Sequence, residues 1–309
     1  MLKSFIKDCV KTSDLPTVIH ANKIIDKYLA AGDRLTLRQL YYQFVSRNIF
    51  ANEDKNYKML GRVMKDARMA GLTDWNAIED RTRGLRKQAR WDSPEEMVEA
   101  CAKQYHVDYW QDQANRVEVW IEKDALIGVV EKTCREFDCP VFSCRGYCCV
   151  TEMKEAVDRI TRARAKGQGF VILYAGDHDP SGLDMGRYMR RSFREDFHVD
   201  ITFRRIAITI DQIQRLNPPA NIVKSTDSRA KNYIRRFGNH CWELDAIPPD
   251  RLQLIIINEI RREISNRDAF NTRRQQDFEG QDHLLMIANR FDEAMEFLES
   301  SDDSDDSEE

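Results

Sequence analysis

The sequence has no long apolar run and no glycine-rich phosphate loop of the Walker type, and each absence excludes a class of function. No stretch approaches the roughly 18 consecutive apolar residues of a membrane span. The first residues, "MLKSFIKDCVKTSD", have no apolar signal-peptide core. We therefore expect a soluble, cytoplasmic protein with no membrane partner. Without a Walker loop, the chain is not expected to drive a reaction with ATP by itself.

Paired-cysteine metal motifs are also missing. The chain has eight Cys, which fits a reducing compartment. Five of them cluster: Cys134, Cys139, Cys144, Cys148 and Cys149. No CxxC pair occurs among them, and no His lies beside them at zinc-finger spacing. We expect buried free thiols rather than a zinc site.

Basic residues are absent from the last part of the chain, and this hides a positive charge elsewhere. Residues 292–309 carry ten of the acidic residues and no Lys or Arg. The whole chain has a net charge of -4, so the remainder carries +6. We expect "ESSDDSDDSEE" to be a disordered tail. The basic remainder suggests a polyanionic partner, although an ordinary solvated surface explains the composition equally well.

The N-terminal pattern predicts three helices. The first spans residues 16–31, and Thr36 with Gln39 forms a capping box that opens the second, "TLRQLYYQFVSRN". The third spans about residues 53–70. The following "DWNAIEDRTRGLRKQARW" is expected to supply a short strand and a basic turn at Arg83. This order is typical of a helix-turn-helix domain with a wing.

The third helix has one face of basic side chains. Its members are Lys55, Lys58, Arg62 and Lys65. Winged-helix domains place one helix in the major groove and use basic side chains on phosphates, so double-stranded DNA is the expected partner, with Arg83 contributing from the wing. A small helical bundle with a solvated basic face remains the alternative.

Two adjacent tyrosines, Tyr41 and Tyr42, lie inside the second helix close to Arg38. Neighbouring helical residues point about 100° apart, so the two rings cannot face the core equally. A Tyr hydroxyl becomes a nucleophile when its proton is removed and cations hold the phosphate that it attacks. On the residues alone, packing is the simpler explanation of the pair.

Strands and helices alternate from residue 116 onward. "RVEVWIE", "PVFSC" and "FVILYAG" are strand-like, and the segments between them are helical. This alternation predicts an α/β domain with a doubly wound, mainly parallel sheet. We place the domain boundaries at residues 1–110, 111–275 and 276–309, the last being a helix and the acidic tail. Sites in such sheets lie at the carboxyl ends of the strands.

Three carboxylates fall at those strand ends: Glu122, Asp177 and Asp179. Carboxylates within about 4 Å repel by about 4 kcal/mol at an effective dielectric near 20. A divalent cation between them would offset this repulsion. Oxygen ligands without thiols or imidazoles suit Mg²⁺ or Mn²⁺, and these ions support phosphoryl transfer. Capping of the next helix by one of the Asp residues is the alternative.

The order of these motifs resembles a known family. A Glu in "WIEKDAL" and the Asp-x-Asp of "GDHDPSG" look like a Toprim domain. The extended Asp-x-Asp-Pro-x-Gly form resembles the A subunit of topoisomerase VI and the related meiotic double-strand-break transesterase. In that family a winged-helix domain precedes Toprim and carries an Arg-x-x-aromatic-Tyr motif, which "LRQLYY" matches. The segment "HCWELDAIPPDRLQLII" is similar to the family's region after Toprim.

The resemblance implies a mechanism and partners. Tyr42 would attack a DNA phosphodiester and remain on the 5′ end, with Arg38 holding the phosphate. Glu122, Asp177 and Asp179 would bind Mg²⁺ or Mn²⁺. The family pairs the tyrosine of one protomer with the acids of the other, so a homodimer and staggered double-strand breaks are implied. The family's ATPase is a separate subunit, which makes such a partner possible here.

The chain also departs from the family pattern. The family has Gly-x-Pro after the second strand, where this chain has "RGYCCV". The chain is short and is similar to free-standing members on phages and other mobile elements, acting in the host cytoplasm or at the nucleoid. Two other functions stay open. One is a Toprim nuclease that hydrolyses DNA with metal-activated water, and the other is a non-catalytic DNA-binding protein.

Overall fold

The computed structural model describes residues 2, 4–7, 9–78 and 90–305, with side chains described up to residue 298. The chain divides into two compact units, Met1–Arg83 with Asn115–Glu263, and Gly84–Ala114 with Ile264–Glu309. The helices are α1 Leu15–Ala30, α2 Leu37–Ser46, α3 Asp54–Met69, α4 Pro94–Gln104, α5 Ile127–Arg135, α6 Val150–Ala165, α7 Pro180–Glu195, α8 Ile210–Leu216, α9 Ala230–Phe237, α10 Pro249–Glu263, α11 Arg267–Asn289 and α12 Phe291–Asp305. The strands are β1 Asn115–Ile121, β2 Val141–Ser143, β3 Gly169–Ala175, β4 Thr202–Ala207, β5 Asn221–Ile222 and β6 His240–Cys241.

The first unit begins with the three predicted helices. The capping box of α2 is present, because Thr36 accepts from the Gln39 backbone and the Gln39 side chain accepts from the Thr36 backbone. Such reciprocal bonds satisfy donors that the helix start leaves free. Gly71 follows α3 with a φ of 75°, a conformation that favours glycine. The prediction of these helices is confirmed.

The core of α1 to α3 forms from one apolar face of each helix. Leu40 and Phe44 of α2 are fully buried with Leu60 and Met64 of α3. The buried residues recur at the three- and four-residue spacing of a helix with one apolar face. A parallel bridge joins Leu35, which lies before α2, to Ile78, which lies after α3. The predicted turn at Arg83 lies outside the described residues, so the wing stays a prediction.

The same unit contains a parallel four-stranded sheet in the order β2-β1-β3-β4. Ile121 of β1 pairs with Ala175 of β3, so these two central strands end level with each other. Val119, Ile121, Ile172 and Leu173 are almost fully buried, as expected for parallel strands covered on both faces. The fold is therefore mixed α/β, as predicted.

Helices cover both faces of the sheet. On one face, Trp120 and Tyr174 pack with Ile160 of α6 and Phe193 of α7. On the other, α10 packs against α5, β1 and β4. This layering is compatible with a Toprim-like fold. It leaves the carboxyl ends of the strands as the open edge of the sheet.

A short antiparallel pair, β5 with β6, follows the sheet in sequence. His178, just after β3, makes an antiparallel bridge with Trp242, just after β6. The two backbone hydrogen bonds of this bridge measure 2.8 and 3.0 Å. The bridge brings the residues around Glu243 to the open edge of the sheet.

The second unit consists of α4, α11 and α12, with α4 packed against α11. Asp277 of α11 is buried and accepts hydrogen bonds from the Val107 backbone and the Tyr109 hydroxyl, at 2.6 and 2.8 Å. The α12 backbone is helical to Asp305, which extends into the segment predicted to be disordered. A helix that has started adds one hydrogen bond for each residue that it fixes, and so continues into a polar segment.

Two further expectations can be compared with the structure. All eight Cys are free, and in the cluster only Cys149 is exposed while the other four are buried. Among the described helices, none combines the length and the apolar character needed to cross a membrane.

Candidate active site

The structure brings Glu122 and Asp177 into direct contact at the open edge of the sheet. Glu122 follows β1, and its backbone N–H donates to Ala175 at the end of β3, at 2.9 Å. The backbone N–H of Asp177 donates to Oε2 of Glu122 at 2.8 Å. Burial raises the pKa of Glu122, and this hydrogen bond opposes the rise.

Asp179 lies beside this pair and caps α7. Its Oδ1 accepts from the Gly182 backbone at 2.6 Å. A Cβ on Gly182 would lie 3.0 Å from Oε2 of Glu122, so glycine permits the approach of the carboxylate to the helix N-terminus. The capping alternative is therefore correct for Asp179. Asp179 nevertheless remains near Glu122 while it caps the helix.

His178, between the two Asp residues, belongs to the core. Its Nδ1 lies 2.8 Å from the Tyr233 hydroxyl, and its ring packs edge-on against Phe237. Burial lowers its pKa to about 4, so the imidazole is neutral at pH 7. These contacts give His178 a structural role in the core.

Lys123 lies at the centre of a second group of carboxylates. Its Nζ is 3.1 Å from Asp177, 2.8 Å from Glu243 and 2.6 Å from Asp245. Oδ1 of Asp177 accepts from the Leu244 backbone at 2.7 Å. Although Lys123 and this hydrogen bond oppose it, burial raises the pKa of Asp177 to about 7, with the charge of Glu122 adding to the rise.

Helix α2, which carries both tyrosines, contacts the open edge of the sheet through Arg38. The Arg38 guanidinium makes a two-point ion pair with Glu243, with Nε 2.7 Å from Oε2 and the second bond from Nη2 to Oε1. Burial opposes ionisation of Glu243, but Lys123 and Arg38 together lower its pKa to about 2. Glu243 is thus the carboxylate that joins α2 to the strand-end acids.

The two tyrosines differ in what their hydroxyls bind. Both rings are buried, with 4% of Tyr41 and 2% of Tyr42 exposed. The Tyr41 hydroxyl accepts from the Glu53 backbone N–H at 2.8 Å and donates to nearby oxygens, including the Glu53 carbonyl at 3.1 Å. The Tyr42 oxygen accepts from Nδ2 of Asn221 at 3.0 Å. Within the described residues the O–H of Tyr42 has no acceptor, so Tyr42 is the tyrosine with an uncommitted hydroxyl.

A cleft of about 800 Å³ joins these elements within the first unit. Its walls include Arg38, Tyr42, Asp179, Asn221, Lys224 and Arg229. The predicted nucleophile, the predicted phosphate-binding Arg and one of the predicted acids therefore face one space in a single chain. This differs from the family arrangement, in which the tyrosine and the acids come from different protomers.

The group of charged side chains at the strand ends has more carboxylates than cations. Glu122, Asp177, Asp179, Glu243 and Asp245 lie around Arg38, Lys123 and Arg205, an excess of two negative charges when all are ionised. Arg205 is held at this edge by donating to the carbonyls of Gly176 and Asp177. Burial of Asp177 raises its pKa, and the negative charge of neighbouring Glu122 adds to the rise.

The oxygen donors at this site fit a hard divalent cation. The sequence predicted three equivalent acids, but in the structure Asp177 has different partners from Glu122 and Asp179. In the part of the chain that the structure describes, no three Asp, Glu, His or Cys side chains form a ready-made metal group. Lys123 and the Leu244 backbone occupy both oxygens of Asp177. Oε1 of Glu122 and Oδ2 of Asp179 have no protein donor in those same residues. Mg²⁺ needs only one or two carboxylates when phosphate and water supply the other ligands.

The predicted DNA-binding residues of α3 are all exposed. Two of them are already paired, Lys55 with Glu53 at 2.6 Å and Arg62 with Asp14 at 2.9 Å. Lys58 and Lys65 have no ion pair within the described residues. The available positive charge on this helix is therefore smaller than its composition indicates. Arg83 lies outside the part of the chain described.

Sequence reasoning missed several side chains of this site. They are Lys123, Arg205, Asn221, Glu243 and Asp245. A signal for the last two was present, since Glu243-x-Asp245 repeats the acid-x-acid spacing of Asp177 and Asp179 and also follows a strand. No local pattern marks Asn221 or Arg205, whose roles depend on contacts distant in sequence.

Comparison with known proteins adds no family assignment. No protein-family model matches the chain, and no curated protein matches it. The resemblance to the topoisomerase VI A subunit therefore rests on the order of its motifs, and the cleft geometry is the independent observation available to support a function.

Proposed function

We propose that this protein cleaves double-stranded DNA by tyrosine transesterification, as a relative of the topoisomerase VI A subunit. One observation carries the proposal. Tyr42, with its uncommitted hydroxyl, lines the same cleft as Arg38 and Asp179, and Glu122 lies close enough to Asp179 for their charges to interact. A pure DNA-binding protein gains nothing from carboxylates placed next to a phosphate. The arrangement suits a reaction at phosphorus.

Binding of the duplex is assigned to the N-terminal helices in a winged-helix arrangement. Lys58 and Lys65, exposed and free of ion pairs within the described residues, are the side chains of α3 best placed for phosphate contacts. Arg83 would contribute from the predicted wing. Lys224 lies on the cleft wall, where it extends the positive surface toward the proposed reaction site, whereas Arg229 on the same wall is already paired with Asp227 and Asp184.

The proposed reaction replaces one phosphoester by another. The Tyr42 oxygen forms a bond to phosphorus as the bond from phosphorus to O3′ breaks. The phenol loses a proton and the 3′ oxygen gains one, so no oxidant or ATP is consumed. Arg38 provides a planar pair of N–H donors that matches two phosphate oxygens. Asn221 holds the Tyr42 oxygen, and Glu122 and Asp179 would hold Mg²⁺ or Mn²⁺. The ion would supply charge stabilisation of the phosphate.

Double-strand cleavage needs two such sites, so we propose that the active form is a homodimer. The absence of a Walker loop in the sequence assigns any use of ATP to a separate subunit. Without that subunit the expected products are breaks with protein attached to the 5′ ends.

A second function, hydrolysis by metal-activated water, is favoured by a different observation. Tyr42 is 2% exposed, and burial raises its pKa, with the charge of Glu243 adding to the rise. A buried neutral phenol is a weak nucleophile until a base takes its proton. In this alternative, Tyr42 is a packing residue in the core of α1 to α3 and the acids alone support cleavage.

One experiment separates the two functions. Supercoiled plasmid is incubated with the purified protein and Mg²⁺, stopped with denaturant, and divided before electrophoresis into samples with and without protease. Transesterification predicts linear DNA that enters the gel only after protease treatment. Linear DNA that migrates normally in both samples would show hydrolysis, and intact plasmid in both would contradict cleavage altogether.

A further inference from the structure

Glu243 is surrounded by the donors that a phosphate group would require. Its two oxygens bind the Arg38 guanidinium at two points, Lys123 at 2.8 Å and Nδ2 of Asn221 at 3.2 Å. An arginine pair, an ammonium and an amide are the groups that recognise phosphate in proteins. Here all of them converge on a carboxylate.

The Tyr42 hydroxyl lies next to this arrangement. Nδ2 of Asn221 donates both to the Tyr42 oxygen, at 3.0 Å, and to Oε1 of Glu243. A group in the place of the Glu243 carboxylate would therefore share an amide donor with the proposed nucleophile. The shared donor therefore places the proposed nucleophile next to the group that Arg38 binds.

We infer that Arg38, Asn221 and Lys123 form the subsite for the scissile phosphate, and that the Glu243 carboxylate occupies it until DNA binds. The inference rests on the proposed function, because it identifies the phosphate with the one that Tyr42 attacks. Carboxylate and phosphate present similar pairs of oxygens to an arginine, so either can take the site. Glu243 is a positioning residue, since it acts through Arg38 and does not touch the reacting atoms.

The consequence is a competition within the chain. DNA must displace Glu243 from Arg38 and Asn221, while Lys123 remains as a partner for the displaced carboxylate. The measured affinity for DNA is then reduced by the fraction of molecules in which Glu243 occupies the subsite. Loss of the carboxylate should remove this reduction.

The test measures DNA affinity without cleavage. A fluorescent duplex is titrated into the Tyr42→Phe protein in EDTA, with and without Glu243→Gln. Glu243→Gln releases Arg38 from its half-exposed ion pair, and this release should tighten DNA binding about fivefold to tenfold. Asp54→Asn is the matched control. Asp54 lines the same cleft, and its side chain has no hydrogen bond or ion pair in the described part of the chain, so its removal should change affinity less than twofold.

Two comparisons complete the test. In an Arg38→Ala background, Glu243→Gln should tighten binding much less, because only Asn221 and Lys123 are then released. A gain equal to that of Asp54→Asn, or one that is undiminished without Arg38, would overturn the inference. If Glu243→Gln does not fold, the Nε–Hε resonance of Arg38 in the Tyr42→Phe protein should shift when duplex is added, and an unchanged resonance at saturation contradicts the inference. Failure of the proposed function appears separately, as binding without cleavage by the wild-type chain.

Discussion

Two carboxylates at the open edge of the sheet, Asp177 and Glu243, behave in opposite ways. Both contact Lys123, yet the pKa of Asp177 rises to about 7 and that of Glu243 falls to about 2. Asp177 is buried beside Glu122, so its ionisation adds negative charge to negative charge. Glu243 lies between two cations. The partners of each group, rather than its residue type or depth alone, set its charge.

This difference separates two roles within the cleft. The strand-end acids carry an excess of negative charge that an added cation would offset, as a metal-dependent site requires. The Glu243 side is already neutralised and holds α2 in place through Arg38. Compensated charge stabilises the fold, and uncompensated charge reduces stability in favour of function. The predictions below test this division.

The largest expected effect is on cleavage. Glu122→Gln and Asp179→Asn each remove a carboxylate with an unoccupied oxygen and should lower the rate by about a hundredfold to a thousandfold. The rate is measured as linear plasmid formed with time in Mg²⁺. Asp196→Asn is the control, because this exposed residue at the end of α7 lies at the opposite end of the helix from the cleft and should leave the rate unchanged. Wild-type rates in both acid variants would remove the strand-end acids from the site.

Mixing two inactive variants tests whether both sides of the cleft act within one chain. Tyr42 and Asp179 line one cleft of a single chain, so a mixture of Tyr42→Phe and Asp179→Asn should remain inactive. Exchange between subunits must first be shown with differently tagged chains. Nicked plasmid from the mixture, but from neither variant alone, would show that the tyrosine of one protomer works with the acids of the other, as the family resemblance implies.

Opposite pH dependences of stability should distinguish Asp177 from Glu243. A raised pKa in the folded state means that the contribution of Asp177 is present below about pH 4 and lost as pH rises to about 7. In EDTA at pH 8, Asp177→Asn should therefore be more stable than wild type by up to about 4 kcal/mol. Below about pH 4 this difference should disappear. The measurement is urea unfolding across the pH range.

Glu243→Gln should show the reverse behaviour in the same experiment. The pKa of Glu243 is lowered from 4.5 to about 2, so its contribution is present above pH 4.5 and lost as pH falls to about 2. The variant should be less stable at pH 7 by about 3 kcal/mol. Equal pH profiles for the two variants would show that the cleft does not divide into compensated and uncompensated sides.

The smallest effects are expected on α3. Lys58→Ala and Lys65→Ala should each reduce the salt slope of log K for DNA by about 0.9, because each removes one phosphate contact. Arg62→Ala should reduce it less, since Arg62 already pairs with Asp14 and Asp66. Slopes are taken from affinities at several salt concentrations. An equal reduction for all three would show that the ion pairs of Arg62 do not persist on DNA.

Local patterns predicted much of the fold and part of the site. The helices α1 to α3 follow from capping and periodicity, and the meeting of Glu122 with Asp177 follows from the rule that sites lie at the ends of parallel strands. The Arg38–Glu243 pair joins residues 205 positions apart, and no local pattern determines such a contact. The hydrogen bond from the Leu244 backbone to Asp177 likewise joins residues 67 positions apart, so only the folded chain defines it.

The central claim is that Tyr42 is the nucleophile, and its most direct test is the covalent adduct. Reactions on radiolabelled duplex in Mg²⁺ are stopped with denaturant and resolved by protein electrophoresis. Tyr42→Phe removes one oxygen and keeps the buried ring, so the account predicts no labelled protein, with DNA binding retained. Tyr41→Phe removes a hydroxyl already bonded to the Glu53 backbone and should still form the adduct. An adduct with Tyr42→Phe, or its loss only with Tyr41→Phe, would contradict the account.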